Sequence, residues 1–233
     1  MKLYGFQKLT LLDFPGHTAA TVFTGGCNLR CPFCHNALLV ESVNDLEEVD
    51  TEEVLTYLKK RQGILDGLAI TGGEPLLNPD IRLFIEEVRA LGMKIKLDTN
   101  GFYPDRLIEL CKAGLIDYVA VDVKNTEEKY ALTTGISSLN LDPFRKTVSF
   151  LIGGSVPYEF RTTVVAELHT VEDIGKIGQW IKGADRYFLQ CFVDSGETIG
   201  SGFTAPSLET MKKMREAAAP FVSEIGIRGM DGV

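Results

Sequence analysis

The chain has 233 residues, 45% hydrophobic and 24% charged, proportions typical of a soluble globular protein, and we expect a single domain over residues 1–233. Its formal charge is −8 and no stretch is rich in lysine and arginine, which argues against nucleic acid as the main partner. No apolar run is long enough to span a membrane, and the first residues lack the apolar core of a signal peptide. The sequence therefore predicts a cytoplasmic protein with no membrane partner.

Apolar, β-rich runs alternate with segments of helical periodicity along the whole chain. In chain order, the predicted strands cover residues 19–24, 67–71, 94–98, 118–122, 158–165, 186–191 and 223–227. Repeated strand–helix units imply a parallel sheet with right-handed crossovers. About six such units predict an α/β fold in the form of a partial (β/α)6 TIM-like barrel, with a flat doubly wound sheet as the structural alternative.

Helix signals between these strands are clear at four places. One helix is expected to have Asn78 as its N-cap, to end at Gly92, and to bury a single apolar stripe formed by Ile81, Phe84, Ile85, Val88 and Leu91. Two others end before Gly114 and Gly153, and the spacing in the first of them places Cys111 on its buried face. The last helix covers about residues 207–219, with its methionines in the core.

Three of the five cysteines, Cys27, Cys31 and Cys34, lie close together after the first predicted strand. An odd number of cysteines with this grouping does not fit a secreted disulfide framework and favours metal binding. A structural zinc site and a ferredoxin-type iron–sulfur cluster both need four protein ligands, so three cysteines predict an iron–sulfur cluster with one open iron. The alternative is a zinc site completed by His35, or by Cys111 or Cys191.

Polar residues follow nearly every predicted strand, at the end where barrel enzymes carry their chemistry. Several buried polar groups at one rim need common partners, which a bound polar ligand would supply. Taken singly, these residues have simpler interpretations: Gly72-Gly73 as a turn, Lys124 as a solvated lysine, and His17 and His169 as surface or turn residues. The prediction therefore depends on their convergence, and the candidates are Gly72, Gly73, Glu74, Asp98, Thr99, Asp122, Lys124, Arg161 and Gln190.

The motif Cys27-x3-Cys31-x2-Cys34, with the aromatic Phe33 in its last gap and Gly72-Gly73-Glu74-Pro75 after it, resembles the radical S-adenosylmethionine (SAM) superfamily. Within that superfamily, the flanking motifs resemble the glycyl-radical-enzyme activases, and most closely the longer form of the activating proteins of anaerobic ribonucleoside-triphosphate reductase. The resemblance covers essentially the whole chain. The flanking motifs are Asp13-Phe14-Pro15-Gly16, Cys34-His35-Asn36, Asp98-Thr99-Asn100-Gly101 and Asp122-Val123-Lys124.

The resemblance implies the radical SAM fold and a [4Fe-4S] cluster held by the three cysteines, whose open iron binds the amino and carboxylate groups of SAM. It places Phe33 near the adenine and the Gly72-Gly73-Glu74 segment near the methionine amino group. Four residues would surround the methionine end, with Lys124 facing its carboxylate: Asp98, Thr99, Asp122 and Lys124. Arg161 and Gln190 would contact the nucleoside or the methionine, and Gln190 stands where some activases carry histidine.

The implied activity is that of a radical SAM oxidoreductase. An electron from flavodoxin or ferredoxin would cleave SAM to methionine and a 5′-deoxyadenosyl radical, which takes a hydrogen from a glycine of a partner glycyl-radical enzyme. The gap in a partial barrel would admit the peptide loop. The alternatives are an activase of a pyruvate formate-lyase-type enzyme, a small-molecule radical SAM enzyme such as a deazapurine synthase, and a non-catalytic iron–sulfur or zinc module.

Overall fold

The computed structural model describes residues 1–194 and 196–230. Within these residues, eight strands form one sheet in which the spatial order follows the chain. The first two strands are antiparallel and every later neighbouring pair is parallel. The strands are β1 (Leu3–Thr10), β2 (Ala19–Thr24), β3 (Gly67–Gly72), β4 (Lys94–Thr99), β5 (Tyr118–Asp122), β6 (Tyr158–Val164), β7 (Arg186–Cys191) and β8 (Glu224–Arg228).

The helices lie in the segments that connect successive strands along the chain. They are α1 (Ala37–Glu41), α2 (Thr51–Lys60), α3 (Ile81–Ala90), α4 (Pro104–Lys112), α5 (Glu127–Thr134), α6 (Asp142–Ile152), α7 (Val171–Trp180) and α8 (Leu208–Ala218). Short 3-10 turns cover Val43–Asp45, Pro75–Leu77 and Ala219–Phe221. In the described part of the chain, no helix is long and apolar enough to cross a membrane.

The predicted α/β fold, an open barrel of parallel strands, is confirmed: β1 and β8 are the two edges of the sheet and do not pair with each other. Strands β2 to β8 match the seven predicted strands to within one residue at either end. Strand β1 was not predicted. It is an edge strand with burial at its two ends and exposure in between, so it lacks the apolar run that identifies the inner strands.

Helix α3 corrects one predicted boundary. The 3-10 turn Pro75–Leu77 precedes it, and the Asn78 side chain donates to the Pro75 carbonyl oxygen at 3.2 Å within that turn. The residue before the first helical one is Asp80, so Asn78 is not the N-cap. Four members of the predicted apolar stripe, Ile81, Phe84, Ile85 and Val88, are buried on α3, whereas Leu91 lies just beyond its last residue and is half-buried. Met211 and Met214 of α8 are buried in the same core, as predicted.

The inner face of the sheet is polar towards the carboxyl ends of the strands and closed at the opposite end. Phe14, which precedes β2, packs against Ala19 and Tyr118, the first residues of β2 and β5. Asp13 accepts a hydrogen bond of 2.6 Å from the Thr21 hydroxyl. The motif from Asp13 to Gly16 thus belongs to the closed end, and the functional site lies at the other.

Candidate cluster and ligand site

A cavity of about 270 Å³ lies at the carboxyl ends of the strands. It brings together the cysteine loop between β2 and α1 and the ends of strands β3 to β7. With one exception, Glu74, all the predicted site residues line it: Cys27, Cys31, Phe33, Cys34, Gly72, Gly73, Asp98, Thr99, Asp122, Lys124, Arg161 and Gln190.

The three cysteine thiols lie in a partly apolar environment. Cys31 is 6% exposed and packs with Leu29 and Phe33, while Cys27 and Cys34 lie at the border of the same apolar group. Burial raises the pKa of Cys31 to about 12 and also raises the pKa of Cys27, although the positive charge of Lys124 opposes both shifts. Without a metal the Cys27 and Cys31 side chains remain neutral thiols at pH 7, so it is metal coordination that would make them thiolates.

The arrangement of the cysteines distinguishes between the two kinds of metal site. Among the described residues, no three His, Cys, Asp or Glu side chains are gathered tightly enough to hold one metal ion. A zinc ion needs its ligands about 2.3 Å away on all sides, whereas each cysteine of a [4Fe-4S] cluster binds a different iron. Three cysteines that line one cavity are compatible with a group that takes one thiolate at each of three irons.

The alternative fourth ligands have other environments. Cys111 lies on α4 and packs against the main core, and burial raises its pKa to about 12. The Cys191 thiol donates to the Phe192 carbonyl oxygen at 3.6 Å. The His35 ring does line the cavity, but it stacks on Phe192 with 5.1 Å between ring centres. Neither Cys111 nor Cys191 lines the cavity.

Five charged side chains of alternating sign cross the floor of the cavity. Lys96 bonds to Asp98, whose second oxygen lies 3.3 Å from Arg161. Arg161 Nε then lies 3.0 Å from Asp122, and the other oxygen of Asp122 accepts from Lys124 Nζ at 3.0 Å. The five come from the inner faces of β4, β5 and β6 and from the residues just after β5. With three cations and two anions, the chain of charges has a net charge of +1, which suits an anionic ligand group.

The cations determine the ionisation of the two aspartates. Burial alone would raise their pKa values, but Arg161 and Lys96 hold the pKa of Asp98 below its usual range. Arg161 and Lys124 do the same, more strongly, for Asp122. The pKa of Lys124 is raised despite its burial, because the negative charge of Asp122 favours its charged form. Asp98, Asp122, Lys124 and Arg161 are therefore charged at neutral pH.

Gly72 and Gly73 allow two segments of backbone to approach each other closely. Gly72 has φ = +110°, and a Cβ there would lie 2.5 Å from the Thr24 nitrogen. A Cβ on Gly73 would lie 2.0 Å from the Gly26 carbonyl oxygen. The Asn36 side chain, which was not among the predicted site residues, also donates to the Gly72 carbonyl at 2.9 Å. The glycines therefore hold the end of β3 against the cysteine loop.

Glu74 does not reach the cavity, which corrects its predicted place among the ligand contacts. Its carboxylate is fully buried and accepts hydrogen bonds from the Thr99 hydroxyl at 2.8 Å and from the Asn100 and Leu76 main-chain N–H groups at 2.7 and 3.0 Å. Burial raises the pKa of Glu74 to about 7 against these three donors. Its side chain therefore fixes the loop after β4 and has no free oxygen to offer a ligand.

His169 is buried, with 3% exposure, so it is not the surface residue that was expected, although its main-chain N–H does close a turn by donating to the Val165 carbonyl oxygen at 3.0 Å. Its Nδ1 accepts from the Val165 main-chain N–H at 3.1 Å, and its Nε2 lies 2.8 Å from the Lys124 carbonyl oxygen. The two contacts require the proton on Nε2. The ring also meets the Phe33 ring edge to face, with 6.5 Å between ring centres. His169 therefore connects the loop that carries Lys124 with the part of the cavity wall that carries Phe33.

Three further cavity or floor residues were missed by the sequence analysis. Asn100 and Thr163 line the cavity, and Lys96, 2% exposed, bonds to Asp98 beneath it. The signal for Lys96 was its place in a buried strand, where a lysine is rare unless it is paired. Asn100 lay within a quoted motif, and Thr163 follows Arg161 by two residues, which puts both on one face of β6.

Residues 21–152, more than half of the chain, match the family model described as Radical SAM superfamily. The chain belongs to the radical SAM superfamily. It is an enzyme of that type, and the superfamily works with a [4Fe-4S] cluster and SAM. The three cysteines that line the cavity fit the cluster, and the floor offers cations for the carboxylate and aspartates for the amino group of SAM. The alternative of a non-catalytic zinc or electron-transfer module is therefore not supported.

Several radical SAM proteins are similar to this chain. A Methanocaldococcus jannaschii protein, provisionally named a glycyl-radical enzyme activating enzyme, is 30% identical over 237 residues, covering 98% of this chain and 96% of that protein. The pyruvate formate-lyase-activating enzyme of Clostridium pasteurianum is 29% identical over 188 residues, 78% of this chain and 76% of that enzyme. The 7-carboxy-7-deazaguanine synthase of Methanopyrus kandleri is 33% identical over 132 residues, 48% of this chain and 51% of the synthase.

A solved structure supports the fold independently. Streptococcus suis SuiB bound to SAM superposes with a TM-score of 0.68 at 16% identity, covering 89% of this radical SAM chain. The matched part is 49% of SuiB, so the chain spans about half the length of that protein. At this identity the likeness concerns the fold alone, including the open parallel sheet.

Proposed function

We propose that this radical SAM enzyme activates a glycyl-radical enzyme, and that its partner is an anaerobic ribonucleoside-triphosphate reductase. The observation that carries the activase proposal is the similarity, over 98% of the chain, to a protein named as an activating enzyme. The choice of partner rests on the motifs around the cysteines and after β4 and β5. We further propose that the chain acts as a single domain in the cytoplasm, with flavodoxin or ferredoxin as its reductant.

In this proposal Cys27, Cys31 and Cys34 hold the [4Fe-4S] cluster. When bound, the cluster and SAM would supply the reductive cleavage of the sulfonium, by which the α-hydrogen of a glycine in the partner would be transferred to the adenosyl fragment. The remaining work belongs to the side chains of the cavity. They orient SAM, keep water from the reacting atoms, and leave an entrance for the partner's peptide.

The charged floor would bind the methionine end of SAM. Its net charge of +1 complements a carboxylate, and Lys124 stands at the end of the charge chain nearest the cysteines, and the negative charge of Asp122 raises its pKa. Asp98 and Asp122 would receive the amino group and balance the sulfonium. Because all five floor residues already pair with each other, little reorganisation is needed when the ligand arrives.

The apolar wall around Phe33 would receive the adenine. Phe33 is 4% exposed and packs with Leu29, Val165 and Phe192. His169 holds this wall to the loop that carries Lys124. An aromatic ring in a buried apolar setting offers a face on which a base can stack. Gln190 and Arg161 line the same cavity from β7 and β6 and would contact the ribose or the methionine.

Two alternative functions within the superfamily have weaker support. An activase of a pyruvate formate-lyase-type enzyme would use the same cavity, and the C. pasteurianum enzyme matches 78% of this chain. A deazapurine synthase would act on a small molecule, but the match to the M. kandleri enzyme covers only 48% of this chain. The first alternative therefore differs only in its partner, and the second differs in its class of substrate.

The test is the formation of a glycyl radical on a defined partner. The reconstituted chain, SAM and a reductant are incubated anaerobically with purified anaerobic ribonucleoside-triphosphate reductase, and the radical is counted by electron paramagnetic resonance (EPR). A glycyl radical that forms on the reductase with the unsubstituted chain, but not with the Cys31→Ala chain, supports the proposal. A radical on pyruvate formate-lyase alone would show that the partner is wrong, and SAM cleavage with no radical on either protein would refute the activase assignment.

A further inference from the structure

The side chain of Asn100, just after β4, is directed at one of the three cysteines. Its Nδ2 lies 3.7 Å from Cys27 Sγ and 2.7 Å from Asn28 Oδ1. The Leu29 main-chain N–H also points at this sulfur, at 3.4 Å. Cys27 Sγ therefore has two N–H donors. In the described residues, no side-chain N–H makes a comparable contact with the sulfur of Cys31 or Cys34.

The orientation of the Asn100 amide is fixed by its neighbours. Its Oδ1 accepts from the Phe102 main-chain N–H at 3.1 Å, which an amide nitrogen could not do. The opposite end of the amide is therefore the NH₂ group, whose two hydrogens face the Asn28 oxygen and the Cys27 sulfur. At 7% exposure, Asn100 has little access to competing water.

The backbone of Asn100 is held by Glu74. One carboxylate oxygen accepts from the Asn100 main-chain N–H at 2.7 Å, and the other accepts from the Thr99 hydroxyl at 2.8 Å. Glu74 follows Gly73 directly, and Gly73 packs on Gly26 beside Cys27. A continuous set of contacts therefore connects the carboxylate of the Gly-Gly-Glu motif with the first cysteine, which accounts for a buried glutamate that does not line the cavity.

We propose that Asn100 is a positioning residue that raises the reduction potential of the iron–sulfur cluster by hydrogen bonding to Cys27, with Glu74 holding it in place. The inference rests on the proposed function, in which Cys27 is a ligand. In reduction, one electron from an external donor is added to the site and no bond forms or breaks. The site then has one more negative charge, so an N–H directed at its sulfur stabilises the reduced form more than the oxidised form.

The experiment compares Asn100→Leu and Asn100→Asp with the unsubstituted chain and with Asn78→Asp. Leucine has a similar size but no donor, and aspartate replaces the donor by a negative oxygen. Asn78→Asp makes the same change of charge one loop away, where the amide donates to the Pro75 carbonyl. Each chain is reconstituted anaerobically without SAM, and its iron and sulfide are measured. Its cluster is then titrated with a reductant while EPR records the reduced fraction.

For Asn100→Leu we expect the ratio of reduced to oxidised cluster at a fixed potential to fall about tenfold, which is 59 mV for a one-electron couple. We expect this ratio to fall further in Asn100→Asp and to be the same in Asn78→Asp as in the unsubstituted chain. Equal potentials in Asn100→Leu and the unsubstituted chain, with full iron content in both, would overturn the inference. If neither Asn100 variant assembles a cluster, the unsubstituted chain labelled with 15N in its asparagine amides is examined by electron–nuclear double resonance. A coupled 15N that persists in Asn36→Asp supports the inference, and no coupling overturns it.

The outcome also separates this inference from the proposed function. An unsubstituted chain that assembles its cluster but cleaves no SAM would refute the proposed function, whatever the potentials are. Full SAM cleavage together with unchanged potentials in the Asn100 variants would refute the inference alone.

Discussion

Arg161→Met removes the central cation of the charged floor. Arg161 is 12% exposed at its side chain and contacts both aspartates, which are 16% and 27% exposed. Removing one partner of a buried ion pair costs about 3–5 kcal/mol, because a buried charge is left without its counter-charge. Lys96 and Lys124 still contact the two aspartates in the variant, so we expect a loss of about 3 kcal/mol, the lower end of that range.

The loss should depend on pH with a defined sign. In the unsubstituted chain the pKa values of Asp98 and Asp122 are below 3.8, so these groups add stability above that pH, and the stability is lost as the pH falls through their folded-state values. Without Arg161 both pKa values rise, because burial is then less opposed. Asp98 and Asp122 are therefore protonated at a higher pH in the variant than in the unsubstituted chain. The difference in unfolding free energy between the two chains should narrow as the pH falls from 7 to 4.

Equilibrium urea unfolding of the cluster-free chains, under reducing anaerobic conditions, measures this difference. The matched control is Arg145→Met, since Arg145 is 46% exposed and its ion pairs with Glu127 and Asp142 lie at the surface. Surface pairs are worth under about 1 kcal/mol. An Arg161→Met loss as small as that of Arg145→Met, or one that widens at acidic pH, would refute the account of the floor.

Three further predictions concern the motif residues. Gly73→Ala should lose about 1–3 kcal/mol of unfolding free energy, because its Cβ meets a backbone oxygen at 2.0 Å, whereas Gly175→Ala, with contacts of 3.6 Å, should be neutral or stabilising in the same urea assay. Glu74→Gln should lose about 1–3 kcal/mol, since one buried N–H loses its acceptor. Folding raises the pKa of Glu74 from 4.5 to about 7, so the stability that its protonated form adds is lost as the pH rises through that window. The destabilisation by Glu74→Gln should therefore be larger at pH 5 than at pH 8. Equal destabilisation at the two pH values would contradict this. Lys124→Met should weaken SAM binding at least about tenfold in calorimetric titration of the cluster-loaded chain, since a hydrogen bond to a charged group is worth about 1.5–3 kcal/mol. The control Lys129→Met, a change at the surface, should leave the affinity for SAM unchanged.

Strands β2 to β8 could be predicted from the sequence because most of them are buried on both faces and read as continuous apolar runs. β1 could not, since an edge strand mixes exposed and buried positions without a regular pattern. The N-terminus of α3 was misplaced for a local reason. Asn78 and Pro79 look like a helix start, but the preceding 3-10 turn uses the Asn78 side chain.

The sequence predicts which residues belong to the site better than it predicts what each side chain contacts. Strand ends in a parallel sheet converge, so Asp98, Asp122 and Lys124 were expected at one rim and do line one cavity. A motif does not give the direction of a side chain, and for that reason Glu74 was placed with the ligand contacts. The burial of His169 follows from loops after β5 and β6 that meet only in the folded chain.

The central claim is that three cysteines hold a cluster that cleaves SAM, and one measurement tests it directly. The chain is reconstituted anaerobically with iron and sulfide, given SAM and dithionite, and assayed for 5′-deoxyadenosine beside Cys31→Ala and Cys111→Ala. We predict product from the unsubstituted chain and from Cys111→Ala, whose thiol lies away from the cavity, and none from Cys31→Ala. A fully assembled cluster with SAM left intact, or equal product from Cys31→Ala, would contradict the account.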